Sequence, residues 1–267
     1  MEQKPVRHIL SLSGGKDSTA LAVYMRDKVP EMEYVFMDTG EELPETYEYL
    51  DRIEAYLGKP IIRLNPDRPF SHYLDIYRGV LPDPRTRWCT RMLKIKPFEK
   101  YIGDDTVMSY LAIRADETYR KGYISTKPNI TAVYPFIEDG VTKEDVFRIL
   151  EESGLGLPEY YKWRSRSGCY FCFFQQRNEW VGLLEHHPEY YEKAKQFERY
   201  DPVTGQSFTW NARESLQDLQ HPERIKQIKQ QHEKRLQRQN STKLYASLTQ
   251  LLVEDDDSEQ SCLICHL

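Results

Sequence analysis

The residues with the clearest chemical potential are Ser13-Gly14-Gly15-Lys16-Asp17-Ser18, set between a short apolar run and a helical pattern. Two adjacent glycines let the backbone fold tightly, so that successive N–H groups can converge on one anion. A helix beginning near Ser18 adds unpaired amides and the positive end of its dipole. Lys16 contributes a mobile cation, and Ser13 and Ser18 contribute hydroxyl donors. A bare Gly-Gly pair reads as a strand-to-helix turn, but the whole hexapeptide in this context predicts a phosphate cradle. Its spacing fits neither the Walker loop nor the dinucleotide fingerprint, which excludes a kinase-like P-loop ATPase and a dehydrogenase.

Further candidates lie downstream. Asp38 closes a second apolar run and suits either a Mg²⁺ that bridges phosphates or a turn before Gly40. Arg114 and Arg120 carry planar guanidinium forks suited to phosphate or sulfate, with Glu117 between them; a solvated loop accounts for the same charges. Five cysteines stand at 89, 169, 172, 262 and 265. An odd count that includes two C-x-x-C pairs does not read as a disulfide framework. Cys169 and Cys172 can place two thiolates on one ion. Arg85, Arg87, Arg91, Lys94 and Lys96 surround Cys89 in the sequence and favour its thiolate.

These residues need elements to position them. Apolar runs at 8–12, 34–37, 60–64, 106–112 and 132–136 predict five strands. Helical patterns follow at 18–26, 44–57, 96–102 and 143–153, with Pro44 at a first turn, Gly58 beyond an end and Thr142 as a cap. Alternating strands and helices imply right-handed crossovers and a mainly parallel sheet, whose ligands sit at the carboxyl ends of the strands. The fold class is therefore α/β, a parallel sheet sandwiched by helices, with a small helical C-terminal region. Helices at 178–186, 189–200 and 222–239 supply that region, and an acidic tail follows. The expected domains are 1–175 for nucleotide binding, 176–245 for the helical region and 246–267 for a flexible tail carrying Cys262 and Cys265.

The hexapeptide resembles the signature of the PP-loop superfamily, the adenine-nucleotide α-hydrolases. Asp38-Thr39-Gly40 with Glu45-Thr46, the segment from Cys89 to Pro97, Ile113-Arg114-Ala115-Asp116-Glu117-Thr118 with Arg120, and Gly168-Cys169-Tyr170-Phe171-Cys172 follow in order. Together they resemble the phosphoadenylylsulfate (PAPS) reductase family over residues 8–175. The resemblance implies ATP or an adenylylsulfate nucleotide on Ser13, Gly14, Gly15, Lys16, Asp17 and Ser18, with Asp38 and Arg114 lining the site. It implies catalytic roles for Lys16, Asp17, Arg114 and Glu117. It also brings Cys89 beside Cys169 and Cys172, where three thiolates suit a 4Fe–4S cluster or a zinc ion. Cluster-bearing reductases have adjacent cysteines at the first position, whereas Trp88 precedes Cys89 here. That departure shifts the expectation towards superfamily enzymes of sulfur transfer. The family's tail cysteine matches Cys265-His266 only loosely.

The expected function is adenylation of a substrate with pyrophosphate release, followed by sulfur transfer to tRNA, DNA or a small molecule. The implied partners are an adenine nucleotide and a sulfur donor such as a cysteine desulfurase or a thioredoxin-like reductant. A sulfonucleotide reductase that releases sulfite is the alternative, and a non-catalytic nucleotide- or nucleic-acid-binding protein is the third reading. Lys and Arg between 224 and 243 form a basic helix that suits a phosphate backbone or simple solvation. The formal net charge of -5 argues against a generally basic nucleic-acid coat. No apolar run reaches the ~20 residues of a membrane helix, and residues 1–5 lack a signal-peptide core. A cytoplasmic protein without a membrane partner is the expectation.

Overall fold

The computed structural model describes residues 5–117, 127–200, 202–203, 205–211 and 214–245. The expected roles of Arg120, of Cys262 and Cys265 and of the acidic tail fall outside these residues. The chain gathers into two compact units, one of residues up to Asp75 with Arg87–Cys169, the other of Ile76–Thr86 with the described residues from Tyr170 onward.

The first unit opens with β1 (Arg7–Leu12), α1 (Lys16–Met25), β2 (Glu33–Met37), α2 (Pro44–Leu57) and β3 (Ile61–Leu64). Next come α3 (Phe70–Ile76), which runs to the unit's edge, α4 (Trp88–Thr90), a π-helical turn (Arg91–Ile95) and α5 (Lys96–Ile102). It continues with β4 (Val107–Tyr110), β5 (Ile130–Val133), α6 (Pro135–Glu138), α7 (Lys143–Glu152) and a 3₁₀ turn (Glu159–Lys162). The five strands form one parallel sheet in the order β3-β2-β1-β4-β5. Burial on both faces explains why β1 and β2 read as continuous apolar runs. Leu10, Leu12, Tyr34 and Phe36 pack into the layer that holds residues of α1, α2 and α7. Ile9, Val35 and Met37 point the other way, onto Phe98 and Ile102 of α5. The crossovers change direction between β1 and β4, so the loops after these two strands open on the same carboxyl edge.

The capping signals act as the sequence predicts. Gly58 ends α2 in the left-handed conformation, and Thr142 closes a capping box with Asp145 at the start of α7. Several boundaries differ. Helix α1 begins at Lys16 rather than 18, because Gly15 caps it and puts Lys16 and Asp17 in its first turn. The fifth strand stops at Val133, since Pro135 and Phe136 open α6. Helical structure begins at Trp88, ahead of the expected 96, so Cys89 lies on a helix.

The second unit contains α8 (Arg177–His186), α9 (Pro188–Phe197), a hairpin of β6 (Arg199–Tyr200) and β7 (Ser207–Phe208), α10 (Leu216–Leu219) and α11 (Pro222–Tyr245). Arg199 and Tyr200 pair with β7 instead of extending the preceding helix. Trp210 organises its core, stacked on Phe171 at 5.2 Å and packed beside Trp180. No helix among the described residues is long and apolar enough to cross a membrane.

Candidate nucleotide site

The hexapeptide turn sits where β1 gives way to α1. Gly14 has φ +71°, a left-handed conformation that favours glycine, and a Cβ there would stand 2.7 Å from Thr46 Cγ2. A Cβ on Gly15 would stand 2.6 Å from Ser167 Oγ. Both positions are thus closed to any side chain as packed. Hydroxyls hold the turn together. Ser18 Oγ accepts the Ser13 amide at 3.1 Å, and Ser13 Oγ lies 3.0 Å from Ser18 Oγ. Thr19 Oγ1 donates to the Gly15 carbonyl at 2.8 Å, and Ser167 Oγ donates to Ser13 Oγ at 3.1 Å.

Two consecutive tyrosines of the 3₁₀ turn reach the same loop. Tyr160, which is buried, donates to the Gly14 carbonyl at 2.7 Å. Tyr161 Oη accepts the Lys16 amide at 3.0 Å, the position a phosphate oxygen would take at a helix N-terminus. The rings stack on each other at 5.1 Å. Tyr160 is therefore a packing residue. Lys16 Nζ rests on Asp17 Oδ2 at 3.0 Å.

Arg114 arrives from the loop after β4 and is 3% exposed. Its Nη1 donates to Asp17 Oδ1 at 3.1 Å and lies 3.6 Å from Glu117 Oε1, while Nε and Nη2 grip both oxygens of Asp116. Glu117 Oε2 accepts the Arg114 amide at 3.1 Å. Burial works against the guanidinium's charge, but the hydrogen bonds to Asp116 and the charges of Asp17 and Glu117 hold its pKa above the ordinary arginine value. Lys16, Asp17, Arg114 and Glu117 are thus brought together. Arg114 faces a cage of carboxylates, which ties the loop after β4 to the first turn of α1.

Asp38 follows β2 on the same edge. Its Oδ1 accepts the Gly40 amide at 2.9 Å and the Tyr47 hydroxyl at 2.8 Å, so this oxygen serves the turn. Burial, then the Asp38 hydrogen bond, pushes the Tyr47 phenol well above its usual range.

Glu42, in the loop that Asp38 opens, escaped the sequence reading. It is 3% exposed; its Oε1 accepts from Thr39 Oγ1 at 3.3 Å and faces Cys169 Sγ at 3.7 Å, and its Oε2 is buried without a hydrogen-bond partner. Burial raises its pKa against the opposing charges of Lys94 and Arg164. Arg164, also buried, donates to the carbonyls of Gly168 and Cys169 at 2.9 and 2.8 Å and fixes the turn before the cysteine pair. Nothing in the local sequence announces these roles, because Cys169 and Ser13 lie more than 100 residues from Glu42 and Ser167, and Arg164 donates to backbone carbonyls.

Cys89, Cys169 and Cys172 are half-buried thiols. Among the described residues no group of three or more His, Cys, Asp or Glu side chains is disposed to hold a metal ion. Cys89 and Cys169 belong to the first unit and Cys172 to the second, and no catalytic step is derived from a metal on them.

A family model described as the phosphoadenosine phosphosulfate reductase domain matches residues 7–173. An uncharacterized protein of Methanocaldococcus jannaschii is 27% identical over 72% of this chain and 41% of its own length. An uncharacterized 37.8 kDa protein of Escherichia phage 186 is 26% identical over 72% of this chain and 74% of its own. The tRNA-specific 2-thiouridylase MnmA of Pediococcus pentosaceus is 26% identical over 66% of this chain and 54% of its own. The match thus spans about half or less of the archaeal protein and the thiouridylase. Among solved structures, a phosphoadenylyl-sulfate reductase from Candida auris, crystallised with phosphate, aligns with a TM-score of 0.49 and 14% identity, covering 63% of this chain and 83% of that one.

Proposed function

Because the chain belongs to the phosphoadenosine phosphosulfate reductase domain family, we propose that it binds MgATP on the Gly14–Gly15 turn, adenylates an acceptor and supports transfer of sulfur to it. The observation that carries this reading is the turn itself. It lies at the carboxyl edge of the sheet where the crossovers change direction, and both its glycines are packed too closely for a Cβ.

In this reading an acceptor oxygen attacks the α-phosphorus, the bond to the bridging oxygen breaks, and pyrophosphate leaves. A sulfur nucleophile then attacks the carbon that bears the adenylylated oxygen, the C–O bond breaks, and AMP departs with the electron pair. Catalysis comes from positioning and from neutralising the charge on the departing phosphates. Lys16 supplies the mobile cation. Arg114 acts through Asp17 as a positioning residue, holding the first turn of α1 against the loop after β4. Asp38 and Thr39 line the adenosine side.

The Cys169 thiol, with Thr39 Oγ1 at 3.3 Å and Glu42 beside it, is the candidate to handle sulfur. The thiouridylase among the relatives favours a nucleic-acid acceptor over a small metabolite. A persulfide-forming enzyme or a thioredoxin-like reductant would supply the sulfur or the electrons. The family description itself keeps the second reading in play, reduction of an adenylylsulfate with sulfite release.

Equilibrium titration of the full chain with MgATP and with adenylylsulfate tests the first step. Saturable ATP binding that weakens by about tenfold in Lys16→Ala is expected, since a charge-assisted contact contributes about 1.5 kcal/mol. Pyrophosphate release on adding acceptor distinguishes adenylation from reduction, which yields sulfite instead. Iron and zinc analysis after anaerobic purification decides whether Cys89, Cys169 and Cys172 take up metal. Absence of affinity for either nucleotide overturns the reading.

A further inference from the structure

Beyond the end of β3, the first unit carries a half-open pocket of about 490 Å³ that no residue of the nucleotide loop lines. Its walls come from separate elements: Arg63 and Asn65 at the end of the edge strand, Tyr73 from α3, and Lys96, Lys100 and Tyr101 from α5. The lining holds these three cations and one acid, Asp67. That balance opposes the chain's overall negative charge.

The cations are available. Lys96 is exposed, and its backbone amide is taken by the Arg91 carbonyl, which leaves the ammonium group at the pocket. Lys100 pairs with Asp67 at 2.8 Å and Arg63 with Asp51 at 2.7 Å, but both are exposed surface pairs that contribute little and open readily. The aromatic walls, by contrast, are fixed. Tyr101 donates to Glu33 Oε2 at 2.6 Å and lies under the Arg7 guanidinium at 4.7 Å, and Tyr73 is buried. A pocket of this size, with mobile cations at its rim and rigid phenol rings in its walls, suits a phosphorylated nucleoside. The rings face the apolar body, and the ammonium groups meet the phosphate.

The cavity also adjoins the candidate site. Asn65 Nδ2 donates to the Asp38 carbonyl at 3.4 Å, so one hydrogen bond separates its wall from the segment after β2. Leu64, which lines the pocket, pairs with Met37 at the ends of their strands, so this part of the wall lies at the carboxyl edge of the sheet.

We propose that this cavity seats one nucleotide of a single-stranded nucleic-acid acceptor, its phosphate held by Lys96, Lys100 and Arg63. The inference rests on the adenylation reading for the acceptor's purpose, but not for the binding itself.

Fluorescence anisotropy with labelled oligouridylate and oligothymidylate tests it on the full chain, beside an MgATP titration of the same samples. Wild-type protein should bind the strand with an affinity that falls steeply between about 50 and about 200 mM salt. Lys96→Glu with Lys100→Glu should weaken it about tenfold or more and flatten the salt dependence, with ATP affinity unchanged. The milder Lys96→Ala with Lys100→Ala should lie between, and guards against a folding defect. Strand binding absent from wild type, or equal in all variants, overturns the proposal whatever ATP does. Loss of ATP binding with intact strand binding overturns only the adenylation reading. Full competition by free uridine monophosphate at the strand's own concentration would identify a free-nucleotide site and overturn the strand assignment.

Discussion

Tyr161 holds the Lys16 amide with its hydroxyl, and that amide belongs to the first turn of α1, where an anion gains most from the helix end. A phosphate that takes this amide must displace the phenol. Removing only the hydroxyl should then favour the nucleotide, since the stacking on Tyr160 is kept and the competing bond is gone. Tyr161→Phe is expected to bind ATP about fivefold more tightly, the equivalent of about 1 kcal/mol, by isothermal titration calorimetry. Unchanged or weaker binding would mean that the hydroxyl assists the ligand instead. Ser13 to Ser18 were legible in the sequence because glycine pairs and hydroxyls announce their backbone demands locally. Glu42 and Ser167 were not, since a buried carboxylate beside Cys169 and a hydroxyl against Gly15 exist only once distant segments meet. Arg114 was legible as a charge but not as a caged one; only the fold reveals that Asp17, Asp116 and Glu117 take its donors.

Strand β1 is anchored at its opposite, amino end by Arg7, which grips both oxygens of Glu33 on β2 at 2.8 and 2.7 Å and reaches Asp105 before β4 at 3.1 Å. One side chain thereby fastens three neighbouring strands. The Arg7 hydrogen bond, reinforced by Tyr101, holds the Glu33 carboxyl below its ordinary value of 4.5. Arg7→Ala should cost about 2 kcal/mol in urea denaturation near neutral pH, as expected for charged hydrogen bonds that are half-buried. A depressed carboxyl stabilises the fold above its unfolded pKa and loses that contribution as pH falls through the folded one. The difference between wild type and variant should therefore shrink below about pH 4.5, and a gap that widens in acid would refute the linkage. Helix ends were readable wherever a cap was present, as at Gly58 and Thr142. They were misread where the stop was tertiary: α9 ends at Phe197 because Arg199 and Tyr200 find a strand partner in β7.

At the scale of the molecule, the parallel sheet was evident from alternating periodicities, whereas the order β3-β2-β1-β4-β5 needed the pairing itself. A ligand that binds the assembled carboxyl edge and not the unfolded chain must stabilise the whole fold. MgATP about a hundredfold above its Kd should raise the unfolding free energy by about 2.7 kcal/mol, measured by denaturant titration with and without nucleotide. Lys16→Ala, which binds about tenfold more weakly, should lose about half of that gain at the same concentration. The strand order also governs how the polypeptide is made. Of the five strands in this sheet the central one leaves the ribosome before the others, and its second neighbour, Val107–Tyr110, is synthesised about a hundred residues later. Until then one flank of Arg7–Leu12 presents unsatisfied main-chain groups to the cell, and nascent chains stalled before that point are the ones most prone to aggregate or to engage a chaperone.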